Sequence, residues 1–242
     1  MLHPEIMQQY REKGWVVVDG VFGAEEIERI RDLAMEISMT ELSGEHGAYL
    51  ADSDADGKLA PRKVDHPYFK TAEFRRFVND PRLQDLLREF LGGEPRLAED
   101  QIFMKPPHFG SAKPYHQDNA YFKISPRDQV ITAWIALDDV DESNGCLRYI
   151  DGSHLGEIVP HEPIPGEAFN LAPPEELIDL GKESLAIVKA GGVVFHHGQA
   201  LHTSHRNESD RWRRAYATHW VGPDVTSESA ILDGVYFKEL PV

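Results

Sequence analysis

The stretch KPYHQDNAYF, residues 113–122, places a histidine and an aspartate two residues apart, with aromatic residues on both sides. On a β-strand, successive side chains point to opposite faces, so His116 and Asp118 would share one face. Two such side chains can hold a metal ion, although a His-x-Asp pair also occurs often by chance. The chemistry of the chain therefore depends on whether other residues supply a third ligand.

Candidate third ligands lie in the segment FHHGQALHTSHRNESDRWRRAYATHW, residues 195–220. Its histidines are His196, His197, His202, His205 and His219. Two histidines and one carboxylate form the facial triad of non-haem Fe(II) oxygenases, whose open positions take a co-substrate and dioxygen. An arginine nearby would then hold the far carboxylate of 2-oxoglutarate in a bidentate pair.

The composition limits the class of protein. The chain has 242 residues, of which 41% are hydrophobic and 27% charged, which is typical of a globular protein, and we predict one domain over residues 1–242. The net charge of −16 argues against nucleic acid or an anionic membrane as a partner. Cys146 is the single cysteine, so a metal site must use histidine and carboxylate ligands.

Two further features bear on location. No apolar run approaches the length that crosses a bilayer, and MLHPEIMQQYREKG at the start has no apolar signal-peptide region. A soluble, cytoplasmic protein is the expectation from the sequence.

The pattern of apolar residues changes along the chain. Residues 23–42 have a helical period, and residues 71–93 have another that breaks at Asp80-Pro81. From about residue 96, short β-rich runs alternate with turn residues. We predict a mainly β fold with α-helices: a double-stranded β-helix (jelly roll, cupin-like) core over about 96–242, buttressed by a helical N-terminal part over about 1–95.

Two segments lack a regular period. Residues 43–63 are polar, and residues 156–182 are rich in proline. Both are predicted to be long loops, and both are candidates for lids over a site.

The motifs taken together resemble the phytanoyl-CoA dioxygenase family of Fe(II)- and 2-oxoglutarate-dependent oxygenases. The resemblance rests on KPP, YHQDNAYF, TAWIALDDVDESNGCLRYIDGSH and LHTSHRNESDRWRRAY, in this order, and on YREKGWVVVDGVFGAEEIERIRD near the start. It covers nearly the whole chain. It implies an enzyme that consumes 2-oxoglutarate and O2, releases succinate and CO2, and hydroxylates an aliphatic carbon of a small molecule.

The resemblance also implies a role for particular residues. His116 and Asp118 would be the first two iron ligands, and His202 the third. The family pattern places a serine two residues after the last ligand and an arginine eleven residues after it, where this chain has Ser204 and Arg213. The same offsets from the neighbouring histidines meet other residue types.

Arg213 is the implied partner of the C5 carboxylate of 2-oxoglutarate, with Ser204 assisting. Trp134 and Gln101 occupy positions that line the co-substrate pocket in relatives, although a tryptophan in an apolar strand is also typical of a plain core. One further basic contact in the family comes from the segment before the core, where the pair at 62–63 is the candidate.

Residues for the substrate are less well indicated. Tyr121 and Phe122 either line its pocket or fill the core. The lysines at 105, 113 and 123 flank the motif and could contact an anionic substrate, but the interpretation as surface lysines is slightly favoured. Lys105 is kept as a candidate substrate contact. The intact Asp118 argues for hydroxylation over halogenation, in which that carboxylate is replaced by a small residue.

Other interpretations remain open at this stage. His196 and His197 are expected mainly to pack, although one of them could face the pocket, and His219 is expected to be a satisfied polar residue or one at the edge of the core. A zinc-dependent hydrolase or isomerase, a non-catalytic metal-binding protein and a cupin-like storage protein are the rival classes.

Overall fold

A computed structural model describes residues 2–43, 50–165 and 170–234 of the chain. The α-helices in this part of the chain are α1 (Pro4–Lys13), α2 (Ala24–Leu42), α3 (Pro67–Lys70), α4 (Ala72–Val78), α5 (Pro81–Leu91) and α6 (Asp118–Phe122). The helix period over 23–42 and the break at Asp80-Pro81 are confirmed. Asp80 caps α5, because its carboxylate accepts a hydrogen bond from the backbone N–H of Arg82.

Most strands follow residue 96, as predicted. They are β1 (Trp15–Val18), β2 (Ala51–Ser53), β3 (Leu59–Pro61), β4 (Lys63–Asp65), β5 (Arg96–Lys105), β6 (Lys113–His116), β7 (Ile124–Ser125), β8 (Val130–Ala136), β9 (Leu147–Ile150), β10 (Glu162–Pro163), β11 (Leu171–Ala172), β12 (Glu183–Ala186), β13 (Val193–His197), β14 (His202–Ser204), β15 (Arg213–Val221) and β16 (Thr226–Ser227). Short 3₁₀ helices join several of them.

Two antiparallel sheets form the core of the molecule. The larger has the order β1-β13-β8-β15-β5-β4, and the smaller has the order β12-β9-β14-β6. Neighbours in the sheets are mostly distant in sequence, as in a jelly roll. The predicted double-stranded β-helix is confirmed. Two strands of the larger sheet, β1 and β4, come from the part before residue 96, so the helical part and the β core share one sheet.

Each face of the larger sheet has a different covering. On the outer face, Phe74 of α4 and Leu87 of α5 pack with sheet residues such as Ile102 and Tyr216 in the main apolar cluster. The predicted buttress of N-terminal helices is therefore confirmed. On the inner face, a second cluster joins the larger sheet to Tyr149 of the smaller sheet. The candidate site lies on this inner side.

The prediction of long loops over residues 43–63 and 156–182 was only partly right. Residues 44–49 and 166–169 lie outside the described residues, but around them the chain forms short strands. β2 and β3 pair as a hairpin, and β4 joins the larger sheet beside β5. β10 and β11 pair within the proline-rich segment. None of the described helices is long and apolar enough to cross a bilayer.

Candidate active site

The His-x-Asp pair lies at a corner and not along one strand. β6 ends at His116, and Asp118 is the first residue of the short helix α6. The expectation that both lie on a strand was wrong, because the chain turns into the helix at Gln117. Their side chains still converge: His116 Nε2 lies 3.5 Å from Asp118 Oδ1.

His202 joins this pair through strand register. β14 pairs with β6 so that His202 lies opposite His116, and its Nε2 lies 3.7 Å from Asp118 Oδ1. Each of the three residues offers one ligand atom, and these atoms all lie within 4.8 Å of one another. Ligand atoms about 2.1 Å from one metal ion lie roughly 3.0–3.4 Å apart. The three side chains therefore need only a small closure to surround an ion.

Hydrogen bonds orient both imidazoles for this task. His116 Nδ1 lies 2.9 Å from the carbonyl oxygen of Pro114, and His202 Nδ1 lies 2.9 Å from that of Ala200. A carbonyl oxygen only accepts, so each Nδ1 carries the proton and donates it. Each Nε2 therefore presents its lone pair towards Asp118, as a metal ligand requires.

Burial favours the protonation states that bind metal. Desolvation lowers the pKa of His116, and it holds the pKa of His202 well below the usual value. Both rings stay neutral at neutral pH. Burial alone would raise the pKa of Asp118, but the surrounding side chains, among them the hydrogen bond from His196, outweigh it and hold that pKa well below its usual range.

These three residues line a cavity of about 370 Å³ between the two sheets. Strand register orders its floor. Arg213 lies opposite Lys105 at one end, Ala217 lies opposite Gln101 and Trp134 in the middle, and His219 lies opposite Glu99 and Thr132 at the other end. Asp118 accepts a hydrogen bond from Thr132, so the candidate metal centre lies near the His219 end.

Arg213 is a buried cation that has no counter-ion in the described part of the chain. Its side chain is 3% exposed, and none of the described carboxylates forms an ion pair with it. Its Nε has no hydrogen-bond partner among the described residues, and its guanidinium lies 5.5 Å from the ring centre of Trp134. Burial lowers the pKa of Arg213 to about 10, so it remains charged at neutral pH. Such a group needs an anion to offset its desolvation.

The structure brings the other co-substrate candidates into the same cavity. Ser204, Trp134 and Gln101 all line it. Gln101 donates a hydrogen bond to Asp65 (3.0 Å), and Lys63 forms an ion pair with the same carboxylate (2.8 Å). Both members of the basic pair before the core, Arg62 and Lys63, also line the cavity.

The substrate candidates are divided. Tyr121 and Phe122 line the cavity beside the histidines: Tyr121 meets the ring of His116 edge to face, and Phe122 meets that of His219 in the same way. Lys105 is buried beside Arg213, and its ammonium group donates to the carbonyl oxygen of Ser111. It lies at the end of the cavity away from the metal ligands.

The other lysines and arginines fall into two groups, those that line the cavity and those that do not. Lys113 lines the cavity, and its ammonium group lies 5.5 Å from the ring centre of Tyr121. Lys123 is exposed and outside the cavity lining. Arg211 and Arg214 form ion pairs with Asp141 and Asp138.

His196, which was expected mainly to pack, lies at the site, and so does His219, a hydrogen-bonded polar residue as expected. His196 Nε2 is 3.0 Å from Asp118 Oδ2, and His219 Nδ1 is 2.8 Å from the hydroxyl of Thr132. The density of histidines in 195–220 was a signal that more than one has a role. Which ones reach Asp118 depends on the pairing of β13 and β15 with β8, and the local sequence does not reveal that pairing.

A jelly roll with two neutral histidines, a carboxylate and a nearby buried arginine defines a class: the non-haem Fe(II) oxygenases that use 2-oxoglutarate. The donor set suits Fe(II), and the buried arginine, which pairs with no carboxylate among the described residues, suits the C5 carboxylate of 2-oxoglutarate. The chain belongs to the phytanoyl-CoA dioxygenase family, whose model matches residues 10–215. The predicted family, enzyme class and cofactors are thereby confirmed.

Relatives of known name support this class. The chain is 28% identical to mouse phytanoyl-CoA dioxygenase domain-containing protein 1, over 90% of this chain and 89% of the relative. It is 29% identical to a probable alpha-ketoglutarate-dependent hypophosphite dioxygenase of Stutzerimonas stutzeri, over 91% and 79%. Its fold is similar to that of the epimerase SnoN in complex with Fe³⁺, alpha-ketoglutarate and nogalamycin RO, with a TM-score of 0.74 at 22% identity, covering 98% of this chain and 91% of that one.

Proposed function

We propose that this Fe(II)- and 2-oxoglutarate-dependent dioxygenase hydroxylates an aliphatic carbon of a small molecule. His116, Asp118 and His202 hold the iron, and Arg213 with Ser204 binds the C5 carboxylate of 2-oxoglutarate. When bound, the iron and 2-oxoglutarate supply the oxidising power: one oxygen atom of O2 enters the substrate as a hydroxyl group, and the other enters succinate as CO2 leaves.

Arg213 is the observation that carries this proposal. It is charged and buried, its Nε is unpartnered among the described residues, and it lines the same cavity as the candidate metal ligands. A hydrolytic zinc site would need no anion at this position. A dicarboxylate with one end on the metal and the other on the guanidinium satisfies both groups at once.

The protein residues bind and orient. Trp134 packs against the guanidinium of Arg213 and limits its movement, and Gln101 faces the middle of the cavity between the two ends. Apolar walls from Phe103 and Leu147 exclude water from the space where the co-substrate would lie. Preorganisation of this kind lowers the entropy cost of aligning the substrate.

We propose that the substrate carries an anionic group. Lys113 and the basic pair at 62–63 line the cavity, and they support this choice. The name of the relative from Stutzerimonas stutzeri points to hypophosphite, an anion, as the substrate of that protein. Tyr121 and Phe122 would contact the substrate near the metal. We also propose a cytoplasmic location, which is the expectation drawn from the apolar pattern of the sequence.

Consumption of 2-oxoglutarate tests the function. Purified protein with Fe(II), ascorbate and O2 should convert 2-oxoglutarate to succinate, slowly alone and faster with a substrate from a panel of small anions. The Arg213→Met variant should lose this turnover at low 2-oxoglutarate concentration. Turnover of a substrate without 2-oxoglutarate, supported by Zn²⁺, would replace the oxygenase with a hydrolase. Absence of succinate under all conditions would leave a non-catalytic metal-binding protein.

A further inference from the structure

The carboxylate of Asp118 has two oxygens in different surroundings. Oδ1 faces Nε2 of both candidate histidine ligands, at 3.5 and 3.7 Å. Oδ2 lies 3.0 Å from His196 Nε2 and 2.7 Å from the hydroxyl of Thr132. One oxygen is therefore directed at the metal position, and the other is held by neighbouring side chains.

The direction of each hydrogen bond follows from the donors present. An ionised carboxylate only accepts, so His196 must carry its proton on Nε2 and Thr132 must donate its hydroxyl proton to Oδ2. With its one proton used, the Thr132 hydroxyl accepts from His219 Nδ1, which lies 2.8 Å away.

Tyr149 completes the chain of donors. Its hydroxyl lies 2.7 Å from His196 Nδ1, and Tyr149 is fully buried. Because the neutral His196 ring carries its proton on Nε2, its Nδ1 accepts and the phenol hydroxyl donates to it. This donation fixes His196 in the tautomer whose Nε2–H points at Asp118.

We propose that His196 and Thr132 position Asp118 so that it binds iron through Oδ1 alone, with Tyr149 fixing the tautomer of His196. The inference rests on the proposed function, because it assigns Asp118 as an iron ligand. His196 and Thr132 are positioning residues, since they act through Asp118.

This arrangement matters for the number of open positions. Two histidines and a carboxylate bound through one oxygen leave three positions of an octahedral iron free. 2-Oxoglutarate would take two of them through its C1 carboxylate and keto oxygen, which would leave one for O2. If Asp118 bound through both oxygens, 2-oxoglutarate would fill the rest. The hydrogen bonds to Oδ2 would thus keep a position open for O2.

The test compares variants that remove the hydrogen bond with one that keeps it. His196→Leu and Thr132→Val each remove one donor to Oδ2, whereas His196→Gln keeps an N–H that can reach it. His197→Asn is the matched control, because His197 is the next residue on β13 and has no contact with Asp118 among the described hydrogen bonds and ion pairs. Unfolding by denaturant identifies any variant that fails to fold.

Two measurements are made on each protein without oxygen. The first is the dissociation constant for Fe(II), by competition with a coloured chelator. The second is the electron paramagnetic resonance signal of nitric oxide, a probe of the position left open after Fe(II) and 2-oxoglutarate are bound, expressed per bound iron. If a residue had a role in folding only, its folded variant would keep the wild-type Fe(II) dissociation constant and the wild-type nitric oxide signal per bound iron.

We expect His196→Leu to bind Fe(II) about 10- to 100-fold more weakly, a usual cost of losing an outer hydrogen bond at a metal site. Its nitric oxide signal per iron should fall severalfold, and His196→Gln should restore most of both. Thr132→Val should shift both readouts in the same direction, and it decides the matter if His196→Leu does not fold.

Wild-type values for folded His196→Leu and Thr132→Val would overturn the inference. So would weaker Fe(II) binding with an unchanged nitric oxide signal, because Asp118 would then leave the same positions open without its partners. If the wild-type protein itself binds no Fe(II), the proposed function fails, and that result is distinct from failure of the positioning role.

Discussion

At the scale of single residues, Arg213 is a buried guanidinium whose Nε has no partner among the described residues. Its burial destabilises the protein without a ligand, and the same burial makes it a strong anchor for a carboxylate. The two effects should separate in one variant, because the first concerns folding and the second concerns binding.

Arg213→Met removes the charge and keeps much of the volume. We expect 2-oxoglutarate to bind more weakly by about 2–5 kcal/mol, the usual cost of truncating one partner of a buried charge pair. The ligand-free variant should unfold no more easily than the wild type, because an uncompensated buried charge is lost. Calorimetric titration and denaturant unfolding measure the two quantities. Unchanged affinity would contradict the assignment of Arg213.

The sequence indicates some of these residues better than others. His202 was selected because Ser204 and Arg213 follow it at fixed offsets, and the structure places all three around one cavity. His196 was not selected. Its contact with Asp118 joins residues 78 positions apart and exists only because β13 pairs with β8 in one register. Local spacing carries no information about such a pairing.

At the scale of elements, β15 forms the floor of the cavity. Its inward side chains alternate from Arg213 through two alanines to His219, and the alanines leave the space between the ends open. Small residues in a strand centre usually reflect close packing. Here Ala217 lines the cavity, so its size sets the room available for a ligand.

Ala217→Leu should fill this space. We expect at least about tenfold weaker binding of 2-oxoglutarate, while the unfolding free energy changes by no more than about 1.5 kcal/mol, because the added side chain enters a cavity and not a packed core. Ala217→Gly is the control, since it keeps the cavity open. Normal binding by the leucine variant would mean that 2-oxoglutarate lies elsewhere.

The end of β13 gives a prediction about pH. Burial lowers the pKa of His197 to about 4, against about 6.5 in an unfolded chain. The unfolded state therefore binds more protons between these values, so stability present above pH 6.5 is lost as the pH falls towards 4. His197→Asn, which keeps an acceptor for the backbone N–H of Gln199, should lose up to about 3 kcal/mol less over this range. Unfolding curves at pH 7 and 4.5 compare the two proteins. Equal losses of stability in both would contradict the assignment of this pH dependence to His197.

Elements were predicted well where the signal is local. The break before α5 follows from Asp80-Pro81, and proline at the first turn of a helix with an aspartate cap is a local rule. β4 was missed, because Lys63–Asp65 has no apolar period of its own and is a strand only through its pairing with β5. The turn from β6 into α6 at Gln117 was missed for a similar reason, because a His-x-Asp sequence is the same whether it lies along a strand or at the end of one.

At the scale of the whole molecule, the candidate ligands come from separate parts of the chain. His116 and His202 belong to strands of the smaller sheet, and Asp118 begins the short helix α6. A metal ion bound to all three would link these elements in the folded state only. Binding to the folded state alone raises stability by mass action.

Mn²⁺ can replace Fe(II) in a thermal test because it does not oxidise in air as readily. At 100 times its dissociation constant, it should stabilise the protein by about 2.7 kcal/mol. For a chain of this size, that corresponds to a rise in Tm of roughly 5–11 °C. His202→Ala should show no rise at the same concentration. Equal rises in both proteins would place the metal at another site.

The charge of the molecule and that of its cavity differ in sign. The chain carries a net charge of −16, yet the cavity lining has more basic side chains than carboxylates: Arg62, Lys63, Lys105, Lys113 and Arg213 against Glu99 and Asp118. Composition excluded nucleic acid as an expected partner and could not reveal this local reversal, because it depends on which side chains the two sheets bring inward. The single domain over residues 1–242 stays a prediction, and truncation of the chain would test it.

The central claim is that His116, Asp118 and His202 hold an iron ion to which 2-oxoglutarate binds. Titration of the protein with Fe(II) and 2-oxoglutarate without oxygen tests it most directly, through the weak visible charge-transfer band of the chelate. We predict a band in the wild type and in His205→Ala, whose histidine is exposed, and none in His202→Ala. No band in the wild type together with tight Zn²⁺ binding, or a full band in His202→Ala, would contradict the claim.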